Sequence, residues 1–162
     1  MTTTALPPCG LYRTSRPIGD VAANRLVYFH NHGNPGPGLY FPERWNSNRA
    51  QFAPNGTTVP QDFDPSALTP LLAEGFYRVT KAFHCCSKQC TRFEPDAFLQ
   101  LGYNGSGQAL LFVPELVGGS IGVPERGTLI DDAAFASLAV LQVNERREPE
   151  GGISLPRGIV IH

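Results

Sequence analysis

Apolar residues along this chain come in short runs, each broken within a few positions by glycine, proline or asparagine. The stretch LVYFHNHGNPGPGLYFPE at 26–43 shows the pattern: a run rich in β-branched and aromatic residues, a Gly-Pro break, a second apolar run, then Pro-Glu. Such runs bounded by turn residues read as strands rather than helices. Gly (17) and Pro (15) are spread along all 162 residues at well above their usual share of roughly 12% together. The fold class expected is therefore mainly β, with many turns.

The apolar pattern also repeats. GLYRTSRPI (10–18) aligns with GFYRVTKAF (75–83) at an offset of 65. The run 26–43 aligns with FLQLGYNGSGQALLFVPE (98–115) at 72, NGTTV (55–59) with RGTLI (126–130) at 71, and SALTPL (66–71) with ASLAVL (136–141) at 70. The matches keep the same order, so a tandem repeat is expected. It divides the chain into an N-terminal arm (1–9), unit one (10–73), unit two (74–145) and a C-terminal tail (146–162), with a candidate edge strand at 158–162.

Each unit reads as a strand from the G-[LF]-Y-R motif, a second strand (25–32 or 97–103) and a Gly-rich turn that supplies positive φ. A third strand (39–41 or 109–113) is expected to stop at Pro-Glu. A fourth (50–53 or 120–123) and a short fifth run follow, then a closing helix at 64–74 or 131–141. Asp64 and Asp131 suit the N-cap positions, and Pro65 suits the first helical turn. The expected architecture is thus two small half-open or SH3-like barrels. A unit of that size buries little apolar surface by itself, so the two are expected to pack about a pseudo-two-fold. The apolar positions in register are Leu11, Tyr12, Val27, Phe29, Leu39 and Phe41, with Phe76, Tyr77, Leu99, Leu101, Leu111 and Val113 as counterparts. Strand alternation forbids neighbours such as Leu11 and Tyr12 from sharing one face.

The change of offset from 65 to 72 marks seven extra residues in unit two, the length of HCCSKQC at 84–90. Thiolate and imidazole ligands suit zinc, so His84, Cys85, Cys86 and Cys90 form one candidate metal group, with Cys9 as a further ligand if the units pack closely. The alternatives are free or buried thiols, or a disulfide in an oxidising environment. Neither C-x-x-C nor a βαβ context supports a thioredoxin-type redox role. As an insertion absent from unit one, the segment is expected to be a surface excursion that the fold can lose. His30 and His32, in HNH, would project to one side of a strand and form a second candidate pair. The residues that follow lack a cupin's acid, and the bland account is a polar strand end entering a turn.

Other chemistry is sparse. There is no G-x-S-x-G, P-loop or G-x-G-x-x-G motif. Asp62, Asp64, Asp131 and Asp132 lie at helix starts, where capping accounts for them. Net charge is −1, and neither half of the chain is basic, so Tyr12-Arg13 and Tyr77-Arg78 are not read as a nucleic-acid surface. No signal peptide, membrane span or basic amphipathic stretch is read either, and a cytoplasmic protein is expected. The function expected is non-enzymatic: an adaptor or assembly protein that binds another protein or itself and needs no cofactor. The alternative is a metal-binding protein with structural zinc.

Overall fold

The computed structural model describes residues 5–142. The N-terminal half contains β1 (Gly10–Thr14), β2 (Leu26–His30), β3 (Gly38–Tyr40), β4 (Pro42–Asn46), β5 (Arg49–Phe52), β6 (Thr57–Thr58) and β7 (Leu68–Pro70). The C-terminal half contains β8 (Gly75–Val79), β9 (Phe83–His84), β10 (Arg92–Phe93), β11 (Phe98–Tyr103), β12 (Ala109–Phe112), β13 (Glu115–Val117), β14 (Ser120–Gly122), β15 (Thr128–Ile130) and β16 (Leu138–Val140). Two five-stranded sheets result, ordered β6-β3-β2-β1-β7 and β15-β12-β11-β8-β16, with three separate hairpins, β4-β5, β9-β10 and β13-β14. The protein is mainly β, and its sheets are antiparallel and open. The SH3-like barrel is therefore corrected: β6 and β7 remain edges of the first sheet, as β15 and β16 do of the second.

Alternation sorts the apolar residues by face. Tyr12, Val27, Phe29 and Leu39 line the inner face of the first sheet, closed by Ile18, Val21, Ala67 and Leu68. Tyr77, Val79, Leu99, Leu101 and Leu111 do the same in the second. Strand neighbours point the other way, so Phe76 beside Tyr77 is exposed and Leu11 beside Tyr12 is only half-buried, while Phe41 and Val113 lie just past the ends of β3 and β12, the first half-buried and the second exposed. Tyr12 and Tyr77 each direct the hydroxyl at a carbonyl four residues upstream, Tyr12 to Pro8 at 2.7 Å and Tyr77 to Ala73 at 2.6 Å, which satisfies a polar group taken out of water.

The closing helices are shorter than expected. Residues Pro65–Ala67 form one 3-10 turn, and Asp132–Ser137 form a longer one. Asp64 caps the first by accepting the Ser66 N–H at 2.9 Å, and that bond with the neighbouring Arg16 lowers its carboxyl pKa. Asp131 occupies the cap position of the second turn without a side-chain bond. The chain then extends again as β7 and β16, which pair with the outer edges of β1 and β8. Those edges carry backbone donors and acceptors that need partners, and Pro70 is a poor residue for a helix interior. The third strands stop before Pro-Glu as expected, β3 at Tyr40 and β12 at Phe112, and the chain extends again at once: Pro42 opens β4, where the first residue of a strand can do without a ladder N–H, and Glu115 opens β13.

The two sheets meet through a one-way joint. The β4-β5 hairpin turns at Ser47 (φ 50°) and Asn48 (φ 64°), the paired positive φ of a tight hairpin, and its tip lies on β11. Asn48 donates to Gln100 Oε1 at 3.1 Å and to the Pro124 carbonyl at 2.9 Å, while Gln100 donates to the Ser47 carbonyl at 2.9 Å. Gly102 is required beneath the tip, because a Cβ there would stand 2.7 Å from the Asn48 carbonyl oxygen. Trp45 donates its indole N–H to the Tyr103 carbonyl at 2.8 Å. Leu26, although on β2, is fully buried within the core of the second sheet, and its N–H donates to the Gly105 carbonyl at 2.9 Å. Arg13 pairs with Asp132 and donates to the Gly107 carbonyl at 3.1 Å. Among the described residues the counterpart contacts are missing: Leu116, Val117 and Ile121 of the β13-β14 hairpin are 77%, 66% and 68% exposed. A two-fold axis would bury both hairpins alike, so these contacts do not follow the expected pseudo-two-fold.

Among the described residues, no helix is long and apolar enough to cross a membrane. The candidate edge strand at 158–162 lies outside the described residues.

Candidate functional site

The register Gly10↔Phe29 sets Cys9 opposite the end of β2. There the chain runs His30, Asn31, His32, and the two imidazoles lie 5.7 Å apart between ring centres. Cys9, His30 and His32 each offer a ligand atom, and the three atoms lie within 4.8 Å of one another. Cys9 Sγ is 3.6 Å from His32 Nδ1. Asn31 organises the group. Its backbone N–H points at Cys9 Sγ at 3.4 Å, and its carboxamide oxygen contacts Cys9 Sγ at 3.3 Å and His32 Nδ1 at 3.0 Å. Its carboxamide nitrogen is anchored on the Pro7 carbonyl at 3.3 Å. A hydrogen-bond partner on one ring nitrogen orients an imidazole and fixes its tautomer for ligation through the other. His30 is held between Tyr28 and Tyr40, with ring centres at 4.8 and 5.0 Å. Cys9 and His32 sit at the surface end of this arrangement, and three ligands leave one position of a tetrahedral ion open.

The thiols of the insertion are arranged differently. Phe93 pairs with Phe83, and their rings stack at 5.0 Å. In the N-terminal half Ile18 bridges Val21 at the corresponding turn. The segment 84–90 thus hangs from a two-residue hairpin. It is more than an excursion, because Cys85 is buried in the core of the second sheet. The Cys85 carbonyl accepts from the Asp131 N–H at 3.1 Å, and its own N–H donates to the Thr91 carbonyl at 2.9 Å. Cys85 Sγ lies 3.5 Å from Cys86 Sγ. A bond from Cys85, followed by backbone donors at Lys88 and Cys90, lowers the Cys86 thiol pKa, and the negative charge on Cys86 raises that of Cys90. His84 pairs across the hairpin with Arg92. All four cysteines are free thiols. Among the described residues, Cys9, His30 and His32 are the group whose ligand atoms converge within 4.8 Å; His84, Cys85, Cys86 and Cys90 do not form a second one.

The remaining feature is the β13-β14 hairpin. Leu116 pairs directly with Ile121, giving two large apolar side chains on one face of a ribbon that turns through Gly118 and Gly119, both at positive φ. Sequence reasoning missed this surface, because short runs such as ELV (115–117) and SIG (120–122) do not say whether their apolar side chains are covered. The chain has no match among known protein families, curated proteins or solved structures.

Proposed function

We propose that this chain is a non-enzymatic assembly protein, made of two copies of one β unit, that binds another polypeptide through the hairpin of its second unit. The observation that carries the reading is the exposure of Leu116, Val117 and Ile121 together on one ribbon. A contiguous exposed apolar ribbon points to a binding surface more than scattered apolar residues do. Support for the duplication comes from pairing register. Tyr12 faces Val27 as Tyr77 faces Leu99, Phe29 faces Leu39 as Leu101 faces Leu111, and Thr14 faces Leu68 as Val79 faces Leu138. The strand orders also correspond one to one. The test immobilises the full chain and challenges it with extract of the cell that makes it. A polypeptide retained by the parent and lost with L116D/I121D is the expected result. Equal retention by both, or none by either, overturns the reading.

A second reading is favoured by a separate observation, the convergence of Cys9, His30 and His32: the chain holds a soft divalent metal there, zinc first by ligand type. Cobalt substitution tests it. Thiolate-to-cobalt charge-transfer absorption that disappears with Cys9→Ser and persists with Cys86→Ser supports this site. Absorption that follows Cys86 instead assigns the metal to the insertion.

A further inference from the structure

We infer that the polypeptide bound by the second hairpin is another copy of this chain, docked head to tail, hairpin onto sheet, in the same order in which the two sheets join within one molecule. This rests on the duplicated-unit reading above and adds the identity of the partner.

Trp45 and Ala50 pair across the first hairpin as Leu116 and Ile121 pair across the second. Leu26 faces Arg13 on the first sheet as Phe98 faces Arg78 on the second. Within the molecule, the first-unit members of these sets lie against the second unit: Leu26 is fully buried, and Ala50 and Leu11 pack against the second core. The second-unit members, Leu116, Ile121, Phe98 and Phe76, are all exposed and all still apolar. Phe76 and Phe98 stack on each other with ring centres 5.2 Å apart, and large exposed apolar side chains gathered on one side mark a binding surface. They are the outgoing face of a joint whose incoming face belongs to a different molecule.

The incoming face is present on the first unit. In the internal joint the hairpin rests over Gln100, Gly102 and Phe112. The register Gln100↔Phe112 matches Tyr28↔Tyr40, and Gly102↔Leu110 matches His30↔Gly38. Tyr28, His30 and Tyr40, with Phe52, Ala53 and Pro54, line an open aromatic hollow. The two joints differ at the hairpin tip. Internally, the polar tip residue Asn48 meets Gln100 in hydrogen bonds and needs Gly102 beneath it. In the proposed joint the tip is Gly118-Gly119, with no side chains, but its backbone carbonyl still faces a Cβ at His30 where Gly102 stands in the internal joint, so the hairpin seats higher over the hollow than Asn48 does over Gly102. The lost carboxamide is matched by Tyr28 in place of Gln100. Repetition of a one-way contact gives a heterologous interface, which builds open chains or rings rather than closed two-fold dimers.

The experiment is sedimentation velocity on the full chain over a concentration series, with chelator present so that metal cannot bridge copies. The parent is expected to gain mass in steps beyond the dimer. A hairpin variant, L116D/I121D, and a hollow variant, Y40E, are each expected to remain monomeric, with A53R replacing Y40E if circular dichroism shows the latter unfolded. An equimolar mixture of the two blocked variants retains one good hairpin and one good hollow. It is expected to form a one-to-one dimer and nothing larger. A parent that is monomeric throughout, a parent that stops at a dimer, or a mixture that stays monomeric overturns the inference. If the extract experiment above still recovers a different protein through the hairpin, the assembly reading survives while the self-docking inference fails. If neither assay gives a complex, both fail.

Discussion

Trp45 and Tyr103, 58 positions apart, are joined by a 2.8 Å hydrogen bond from an indole N–H to a backbone carbonyl. The tryptophan belongs to the hairpin of the first half and the tyrosine to the central strand of the second, so this bond measures whether the two sheets are docked. Trp45 is also the chain's single tryptophan. Trp45→Ala is expected to cost about 2 kcal/mol, less than a fully buried ring would, because Trp45 is 42% exposed. Trp45→Phe is expected to cost about 1 kcal/mol, since it keeps the ring and loses the N–H. Urea unfolding of both variants, followed by circular dichroism, checks the order.

Glu74 gives a pH dependence of defined sign. Its carboxylate accepts the Ala50 N–H at 2.9 Å, yet burial outweighs that bond and the nearby Arg49 and raises its pKa. A carboxyl whose folded pKa is raised favours the folded state while it is protonated, and that contribution is lost as pH rises through the folded pKa. Glu74→Gln should therefore melt above the parent at neutral pH. The difference should close as the pH falls below the ordinary glutamate range. A variant less stable than the parent at neutral pH would show that the hydrogen bond to Ala50 outweighs burial.

The insertion should prove partly structural. Removing 84–90 takes Cys85 out of the core and leaves the Asp131 N–H without its acceptor. An unsatisfied backbone group alone costs about 1–3 kcal/mol. The full deletion is expected to lower the melting temperature clearly, whereas deletion of the exposed residues 87–89 should have little effect. Chelator should change neither melt.

Thiol reactivity should not follow exposure. Cys90 is more exposed than Cys86, but the hydrogen bonds on Cys86 lower its pKa and its charge raises that of Cys90. The thiolate is the reactive form. In timed alkylation with iodoacetamide at mildly acidic pH, read by peptide mass spectrometry, Cys86 should be labelled before Cys90, with Cys85 last.

Much of the local structure was legible because glycine and proline mark where backbone pairing ends. The strand pairs Phe29 with Leu39 and Leu101 with Leu111 lie where the apolar runs put them. β7 and β16 were not legible. Leu68 and Leu138 suit a helical turn as well as an edge strand, and the free edges of β1 and β8 decide between them. The ligand group was legible only in pieces. HNH stands out at 30–32 and Cys9 stands alone, and only the register Gly10↔Phe29 makes them neighbours. The fate of Cys85 was hidden for a similar reason: a short cysteine-rich loop gives no sign of which thiol turns inward.

The four residues 71–74 between β7 and β8 have a consequence for how strong each joint must be. They tether the first hairpin beside its receiving sheet, so the internal contact forms at an effective concentration in the millimolar range set by the short linker. Under that condition a polar latch such as Asn48 with Gln100 is sufficient. A contact between separate molecules has no tether and must hold at the dilution of the cell. On the proposed self-docking, that difference accounts for the larger apolar side chain at Ile121 and the aromatic one at Tyr28, where the internal latch uses Ala50 and Gln100. Expressing two copies of the chain as one fused polypeptide would remove the difference and turn a concentration-dependent association into a fixed one.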